Sequence, residues 1–527
     1  MTNSIDEIKN VGCLFVIGSN TTENHPVVSL EMKEAVRAYG AKLIVADPRR
    51  IDLVDCADVW LSQKPGTDVA LINGLMHVII REELHDQEFI AERTEDFEKL
   101  ADVVKAYTPE TVERITGVPE KDLEKAALLF AEAKGGGIFY AMGITQHTTG
   151  TDNVKALANL AMVTGNVGKE SGGVNPLRGQ NNVQGACDMG ALPNVFPGYQ
   201  PVTDERVREK FEAAWSQKLP SQVGLTIIEM MNAAVEGKLK ALYIMGEDPL
   251  TSDPNISHVK EGIEKLEFLV VQDIFLSEVA KYAHVVLPGT SFAEKEGTFT
   301  NTERRVQRVR KAIQPPGTAL PDWKIILELF KRMGKKQNCS TPEKVMGEIS
   351  QLTPQYGGIL YKRIEKEGIQ WPCPDITHPG TKYLHKERFA RGKGKFFPIK
   401  FINPHELTDN EYPFILTTGR VLYHWHGGNM SRHSQGLKEI YPEGLVEIHP
   451  QEAASIGCED GDRVMVESRR GRITGKVKVT RKTSPGIIFM TFHFPEILTN
   501  VLTNDALDPI AKIPEYKVCA VRVKKVA

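Results

Sequence analysis

The 527-residue chain contains no run of 18 or more apolar residues, so no segment of it reads as a membrane-crossing helix. It has no dominant charge either. Lys and Arg number 65 against 68 Asp and Glu, a net charge of −3. That balance argues against a strongly basic nucleic-acid binder or a binder of anionic membranes. Cysteines are few and scattered: Cys13, Cys56, Cys187, Cys339, Cys373, Cys458 and Cys519, with none within three residues of another. This spacing excludes a local zinc or iron–sulfur framework and fits a reducing cytoplasm. Residues 1–7 form neither a basic nor an apolar leader, so no signal peptide is expected. There is no full GxGxxG fingerprint and no GxSxG elbow. A nicotinamide dehydrogenase and a Ser-His-Asp hydrolase are disfavoured accordingly.

What is present suits a large folded protein. Hydrophobic residues make up 41% and charged residues 25%, and at roughly 150 residues per domain the length suggests three to four domains. The N-terminal third alternates strands and helices. Residues 13–17 are a short apolar run ending in Gly18-Ser19-Asn20, and 26–39 have a helical pattern. Residues 41–46 form a second strand ending in Asp47-Pro48-Arg49, and 58–61 a third that leads through Gly66-Thr67-Asp68 into a helix over 69–82. The pattern recurs downstream. Residues 241–245 run into Gly246-Glu247-Asp248, 268–271 into Gln272-Asp273, and 283–287 into Pro288-Gly289-Thr290-Ser291. Gly18 to Asp47 is 29 residues and Gly246 to Asp273 is 27. Such alternation predicts parallel βαβ units, which bind ligands at the carboxyl ends of their strands. Two readings of the repeat stand: a fold used twice, or two related nucleotide half-sites. Residues 322–333 are an amphipathic helix, and from Tyr412 onward short strands with turn punctuation predict a closed barrel.

Few residues carry chemistry. The stretch 172–186 is rich in amides and has almost no apolar periodicity. It reads as a polar loop rather than a core strand or helix: either a surface loop satisfied by its own amides, or a cavity lining in which Arg178 faces a ligand. The turns at Gly18 and Gly246 suit close approach of a phosphate to a helix N-terminus. Asp47 and Asp273 suit a ribose hydroxyl or guanine N–H groups, and equally a helix cap. His424 and His426 have no third ligand nearby in sequence and read as a packed or hydrogen-bonded pair rather than a metal site.

With these residues in place, the chain resembles the catalytic subunits of molybdenum- or tungsten-dependent formate dehydrogenases, within the molybdopterin oxidoreductase superfamily. The resemblance covers the whole length. It is carried by residues 143–147, 175–190, 245–249 and 514–517, and the run 174–185 favours formate dehydrogenases over nitrate and sulfoxide reductases. It implies an α/β fold: two related parallel-sheet dinucleotide-binding domains (1–180 and 181–325), a mixed connecting region (326–408), and a C-terminal double-psi β-barrel domain (409–527). It implies two molybdopterin guanine dinucleotides with one Mo or W between them. The first dinucleotide falls to Asn20, Asp47, Arg49, Gly66 and Asp68. The second falls to Gly246, Glu247, Asp248, Thr251, Gln272, Asp273, Ser291 and Asp322. Met142, Gln146 and Gln180 lie near the pterins, and Arg420, His424, His426, Asn500 and Lys517 match the barrel's cofactor-facing motifs. Arg178 matches the arginine that orients formate for oxidation to carbon dioxide. Family members begin with a cysteine-rich segment for a 4Fe–4S cluster, followed by a selenocysteine or cysteine that ligates the metal and then a histidine. None of the seven cysteines here matches these positions. The expectation is therefore the downstream part of a longer or split catalytic subunit, cytoplasmic, completed by an N-terminal fragment or by an iron–sulfur or flavin electron-transfer subunit. The alternatives are a non-catalytic molybdopterin-dinucleotide binder and another molybdopterin oxidoreductase.

Overall fold

The computed structural model describes residues 1–335 and 339–526, which form two compact units. Met1–Gly179, Thr251–Asn255 and Tyr383–Ala527 make the first, and Gln180–Leu250 with Ile256–Lys382 the second.

The first unit is organised around a parallel sheet of β1 (Cys13–Ile17), β2 (Lys42–Ala46), β3 (Val59–Leu61), β4 (Gly136–Tyr140) and β5 (Val174–Pro176), in the order β3-β2-β1-β4-β5. Alternate side chains of a strand point to opposite faces, and here both faces are buried. On one, Leu14, Val16, Leu43 and Val45 pack with Val28, Met32 and Ala35 of helix α1 (Pro26–Tyr39). On the other, Phe15, Ile17, Ile44 and Ala46 pack against α2 (Asp68–Arg81), α3 (Glu120–Ala131) and α4 (Gly150–Val163). Helix α1 starts on a proline and stops at Gly40, in the left-handed region at φ +73°.

The second unit carries a smaller parallel sheet, β6 (Ala241–Met245), β7 (Phe268–Asp273) and β8 (Val285–Pro288), in the order β8-β7-β6. Leu242, Ile244, Leu269 and Val271 pack one of its faces against α5 (Ile227–Val235) and α6 (Ile256–Glu264). An antiparallel pair follows, β9 (Gly297–Thr300) and β10 (Arg305–Val309), and then α7 (Asp322–Arg332). Here the polar stretch 172–186 departs from the loop expectation. It contributes β5 at one end and a short helix, Val183–Asp188, at the other. Several of its amides are paired within the protein, although Asn181 is exposed. Asn175 accepts from the Asn3 amide at 3.2 Å and donates to the Gly172 carbonyl at 3.1 Å. Asn182 accepts from the Thr300 amide at 2.9 Å. Asp188, 1% exposed, accepts from the Gln184 amide, the Tyr199 and Tyr356 hydroxyls and the Trp371 indole. A buried carboxylate with four donors is satisfied and stiffens what it joins.

The C-terminal part of the first unit is a closed six-stranded barrel: β11 (Phe414–Gly419), β12 (Leu445–Ile448), β13 (Arg463–Glu467), β14 (Arg472–Val479), β15 (Ile487–Thr491) and β16 (Cys519–Lys525), in the order β11-β15-β12-β14-β13-β16. The pairs β11/β15 and β12/β14 are parallel and the others antiparallel. Leu416, Val446, Ile448, Val464, Val466, Val477, Ile488, Met490 and Val521 fill it. Among the described residues, no helix is long and apolar enough to cross a membrane.

Two glycines with positive φ separate steric from conformational need. A Cβ on Gly18 (φ +55°) would sit 2.8 Å from the Gly143 carbonyl carbon, whereas one on Gly40 (φ +73°) meets nothing within 4 Å. Gly40→Ala is expected to cost about 1 kcal/mol. Gly18→Ala is expected to cost at least about 2 kcal/mol, because backbone must also move. Urea unfolding of the two variants measures the difference, and equal costs would refute the close approach.

Candidate functional site

The first unit gathers its polar residues at the carboxyl edge of the sheet. Past β1 the chain turns at Gly18, and past β4 it turns at Gly143, whose amide donates to the Gly18 carbonyl at 3.0 Å. Neither glycine has room for a side chain there. The two strand ends therefore meet backbone to backbone, and the residues beyond them, Ser19 and Asn20 on one side and Met142 and Gln146 on the other, flank the meeting point. Asp47 and Arg49 follow β2, Gly66 and Asp68 precede α2, and Arg178 follows β5.

Buried polar atoms in proteins are almost always paired. Here a group without protein partners clusters around the end of β1: Ser19 Oγ, Asn20 Oδ1, Thr21 Oγ1, Asn24 Oδ1 and His25 Nδ1. Gln63 Oε1, His147 Nδ1 and Arg49 Nε extend the set along the edge, and Thr491 Oγ1 and Asn500 Oδ1 extend it on the barrel side. These donors and acceptors suit a long polar ligand with hydroxyl, amide and phosphate groups.

The charges follow the same pattern. Burial pushes the carboxyls of Asp47 and Asp68 up to about 6. It pushes Lys517 down to about 7 and Arg420 down to about 10. Lys517 donates to the Thr418 carbonyl at 2.6 Å and Gln63 donates to Asp68 at 3.2 Å. The Arg49 guanidinium pairs with Glu447 at 2.7 Å and stacks 3.4 Å from the centre of the Phe489 ring. The segment bearing Lys517 is held from both sides. Glu515 accepts from Thr148 and from the His405 amide, and the Tyr516 hydroxyl donates to the Ser252 carbonyl at 3.0 Å. Asn500 donates to the carbonyls of Thr251 and Ser252, so its amide positions that turn. His424 engages Ser431 and the Tyr441 carbonyl through its two ring nitrogens. The carbonyl of His426 accepts from His493. Burial holds His426 and His493 down at about 3, so both are neutral.

Arg178 is placed by residues that its own segment does not reveal. The His25 ring nitrogen Nε2 lies 2.8 Å from the Arg178 carbonyl, where it donates. The next residue is Gly179, and a Cβ there would meet the Arg420 guanidinium at 2.6 Å. The Leu177 amide donates to the Tyr140 carbonyl at 2.8 Å. The segment is thus fixed at three consecutive residues, the last of which lies against the Arg420 guanidinium at the sheet edge. No motif in the sequence singled out His25, which is distant in sequence and lies in no repeat.

In the second unit the corresponding turn begins at Gly246, φ +63°, where a Cβ would meet nothing within 4 Å. Asp248 follows and is buried. Its two oxygens accept from the amides of Glu278 and Val279 at 3.0 and 3.1 Å, so the carboxylate holds two turns together. Asp273 accepts from the Ile274 amide at 2.6 Å. Gln272 accepts from the Tyr243 hydroxyl and donates to Asp322 at 2.7 Å, and Asp322 pairs with Lys295. Ser291 forms a capping box with Glu294. Thr290 Oγ1, buried beside it, has no protein partner. Glu247 lies at the turn itself, and Gln180 opens this unit's first segment.

A pair of parallel-sheet units with polar carboxyl edges, in a chain that ends in a mixed barrel, is an α/β architecture suited to extended polar ligands at its strand ends. The comparisons specify it. The molybdopterin oxidoreductase family matches residues 1–332, and the molydopterin dinucleotide binding domain matches 414–520. The chain belongs to the molybdopterin oxidoreductase family. It is 52% identical over 530 residues to the F420-dependent formate dehydrogenase subunit alpha of Methanocaldococcus jannaschii, a match covering 100% of this chain and 78% of that protein. It is 43% identical to formate dehydrogenase H of Escherichia coli, covering 100% of this chain and 74% of that one. Acetylene hydratase from Pelobacter acetylenicus shares the fold, with a TM-score of 0.77 at 23% identity over 99% of this chain and 81% of its own. The unpartnered polar atoms and desolvated charges of the first unit fit a molybdopterin dinucleotide, which carries hydroxyl, amide and diphosphate groups.

The raised Asp47 carboxyl has a consequence for stability. A carboxyl whose value is higher folded than unfolded costs stability once pH rises above its unfolded value, and the cost is complete above about 6. Asp47→Asn can still accept from the Arg49 amide. It is expected to stabilise the ligand-free chain at pH 7 by on the order of 1 kcal/mol. The gain should fade as pH falls from 6 towards 4. Thermal unfolding across that range checks it, and a gain independent of pH would contradict the assignment.

Proposed function

We propose that the chain is the cofactor-bearing part of a formate dehydrogenase catalytic subunit, interconverting formate and carbon dioxide at a Mo or W centre held by two molybdopterin guanine dinucleotides. The observation that carries this is the pairing of two facts. Relatives 43 to 52% identical over the full chain are named formate dehydrogenases. Arg178 stands at the carboxyl edge of the first sheet, on a segment pinned by His25 and flanked by a second guanidinium.

When bound, the metal centre supplies a two-electron acceptor. The remainder falls to the chain. Asn20, Asp47, Arg49, Gly66 and Asp68 receive one dinucleotide in the first unit. Asp47 and Asp68 accept from ribose or base donors, and the turn at Gly18 admits phosphate oxygens to backbone amides. Lys517 and Arg420 balance the cofactor's negative charge. Met142, Gln146 and, in the second unit, Gln180 line the pterins. In the second unit Gly246, Glu247, Gln272, Asp273, Ser291 and Asp322 receive the other dinucleotide, and Asp248 fixes the turn that carries them. Thr251, His424, His426 and Asn500 shape the barrel-side wall of the first unit's pocket. The Arg178 guanidinium pairs both oxygens of formate and leaves its C–H free to react. Oxidation of formate yields carbon dioxide, one proton and two electrons.

The electrons leave through parts the chain does not itself contain. The relatives carry the word alpha in their names, which supports an assembly with an iron–sulfur or flavin electron-transfer subunit. A 4Fe–4S cluster is assigned to a further segment of the catalytic subunit. We place the whole in the cytoplasm.

In the cofactor-loaded, complete catalytic subunit, Arg178→Lys is expected to lower kcat/KM for formate about 100-fold, with metal and pterin content unchanged. His25→Leu is expected to raise KM about tenfold with a smaller change in kcat. His25→Gln, which keeps an amide donor for the Arg178 carbonyl, is expected to recover most of that loss. Formate-dependent dye reduction with metal analysis checks all three. A loaded wild-type subunit without formate activity would sink the proposal in favour of a non-catalytic dinucleotide binder.

A further inference from the structure

The register of β4 and β5 carries one more polar side chain to the carboxyl edge of the first unit. Their parallel pairing sets Ile138 beside Val174, Phe139 beside Asn175 and Tyr140 beside Pro176. Side chains alternate between the two faces of a strand. Ile138 and Tyr140 belong to one buried cluster, with Val174 packed against it, whereas Phe139 and Leu177 belong to the other. The ladder continues past Pro176, since the Leu177 amide donates to the Tyr140 carbonyl at 2.8 Å. Arg178, the next residue, therefore leaves the backbone on the face of Tyr140, one diagonal step away on the neighbouring strand. Such a step is roughly 7 Å between Cβ atoms, a span that a tyrosine ring and an arginine chain bridge together.

Tyr140 stands out within its cluster. It is the last residue of β4 and 7% exposed, yet its hydroxyl has no hydrogen-bond partner among the described residues. A buried tyrosine hydroxyl is ordinarily bonded. Tyr107 of the same cluster follows that rule, its hydroxyl accepting from the Phe401 amide at 2.7 Å. Burial pushes the Tyr140 hydroxyl up to about 12, and the Arg178 charge opposes the shift. The phenol is therefore neutral near pH 7, a fixed dipole and not a base.

We propose that Tyr140 is a positioning residue for formate turnover: its hydroxyl oxygen accepts an N–H of the Arg178 guanidinium and fixes the plane in which that fork meets the substrate. The inference rests on the formate reading above and deepens it. A guanidinium has five N–H donors, and a carboxylate held by both oxygens occupies two of them. His25 ties Arg178 only at its backbone carbonyl, a bond that does not itself set the side chain. A hydroxyl from the adjacent strand constrains the guanidinium directly. Because the strand that carries it is buried on both faces, the constraint is a rigid one. Orientation of the bound substrate is what it secures.

The test compares Tyr140→Phe, which keeps the ring and removes the hydroxyl, with the wild type in the cofactor-loaded, complete catalytic subunit. The expected result is a KM for formate about tenfold higher with kcat within about twofold, at unchanged metal and pterin content. On an Arg178→Lys background the same substitution should change kcat/KM by less than about twofold, because the hydroxyl acts through the guanidinium. Tyr107→Phe, which removes a bonded hydroxyl of the same cluster, should leave KM unchanged. In the ligand-free chain, urea unfolding of Tyr140→Phe, Arg178→Leu and the double variant should show the pair coupled about fivefold in the unfolding equilibrium constant. An unchanged KM, an equal loss on both backgrounds, or the same KM rise in Tyr107→Phe overturns the proposal. So does an unfolding cycle without coupling. A loaded wild-type subunit without formate activity removes the functional reading and this role with it. The unfolding cycle reads the contact between Tyr140 and Arg178 without turnover, so the two failures are told apart.

Discussion

A parallel sheet hides its faces and leaves its carboxyl edge as the place where a ligand can meet many strands at once, and the first unit is built on that constraint. Leu14 and Val16 go to one cluster and Phe15 and Ile17 to the other, so β1 has no side chain left for solvent. What emerges at its end is backbone: Gly18 against Gly143, with no Cβ between them. The close approach of two strand ends brings Asn20, Asp47, Asp68, Met142 and Arg178 to one edge. A side chain at either glycine would push the strand ends apart and with them every group that follows.

That edge is electrostatically costly when nothing binds to it. A carboxyl buried enough to move to about 6 and an ammonium buried enough to move to about 7 are groups whose charged forms have lost water without full compensation. Such groups cluster at functional sites more than elsewhere. The protein keeps them in place with a frame of satisfied bonds one layer out. Glu515 holds Thr148 and His405, Tyr516 holds Ser252, and His25 holds Arg178. The desolvated groups and the bonded frame are different residues, so the frame holds the edge in place without itself quenching those groups.

Much of this was legible in the sequence, and the parts that were not share a cause. The apolar runs at 13–17 and 241–245 fold as strands with the expected bounds, and the short strands expected after Tyr412 close into a barrel, because β-branched and apolar runs between turn residues leave few other options. Strand β4 was not expected. Its segment opens with Gly135-Gly136-Gly137, which reads as a loop, yet it pairs with β1 along its whole length. The glycines are there because a Cβ on Gly136 or Gly137 would sit 2.8 Å from the Phe130 or Phe139 ring. Propensity lost to packing. Strand β5 hid inside an amide-rich stretch, where Pro176 is tolerated because the strand lies at the sheet's edge. Of the site, the turns and acids of the repeat were visible as spacing. The His25–Arg178 contact was not, since it joins residues 153 apart and neither lies in a periodic pattern.

The repeat also shows how far one fold can diverge in its chemistry. In the first unit the acid after the second strand, Asp47, is left to desolvation with one backbone donor nearby. In the second unit the acid of the first turn, Asp248, is quenched by two backbone amides. The side chains after its second strand are linked to one another through Gln272 and Asp322. Burial nonetheless raises the Asp248 and Asp273 carboxyls as it raises Asp47, so both edges hold desolvated acids and differ in how many protein bonds already reach them. A ligand at the first edge gains from relieving buried charges. A ligand at the second must also compete with bonds already made, so its hold depends in part on backbone approach at Gly246, where the fold leaves open space beside the turn.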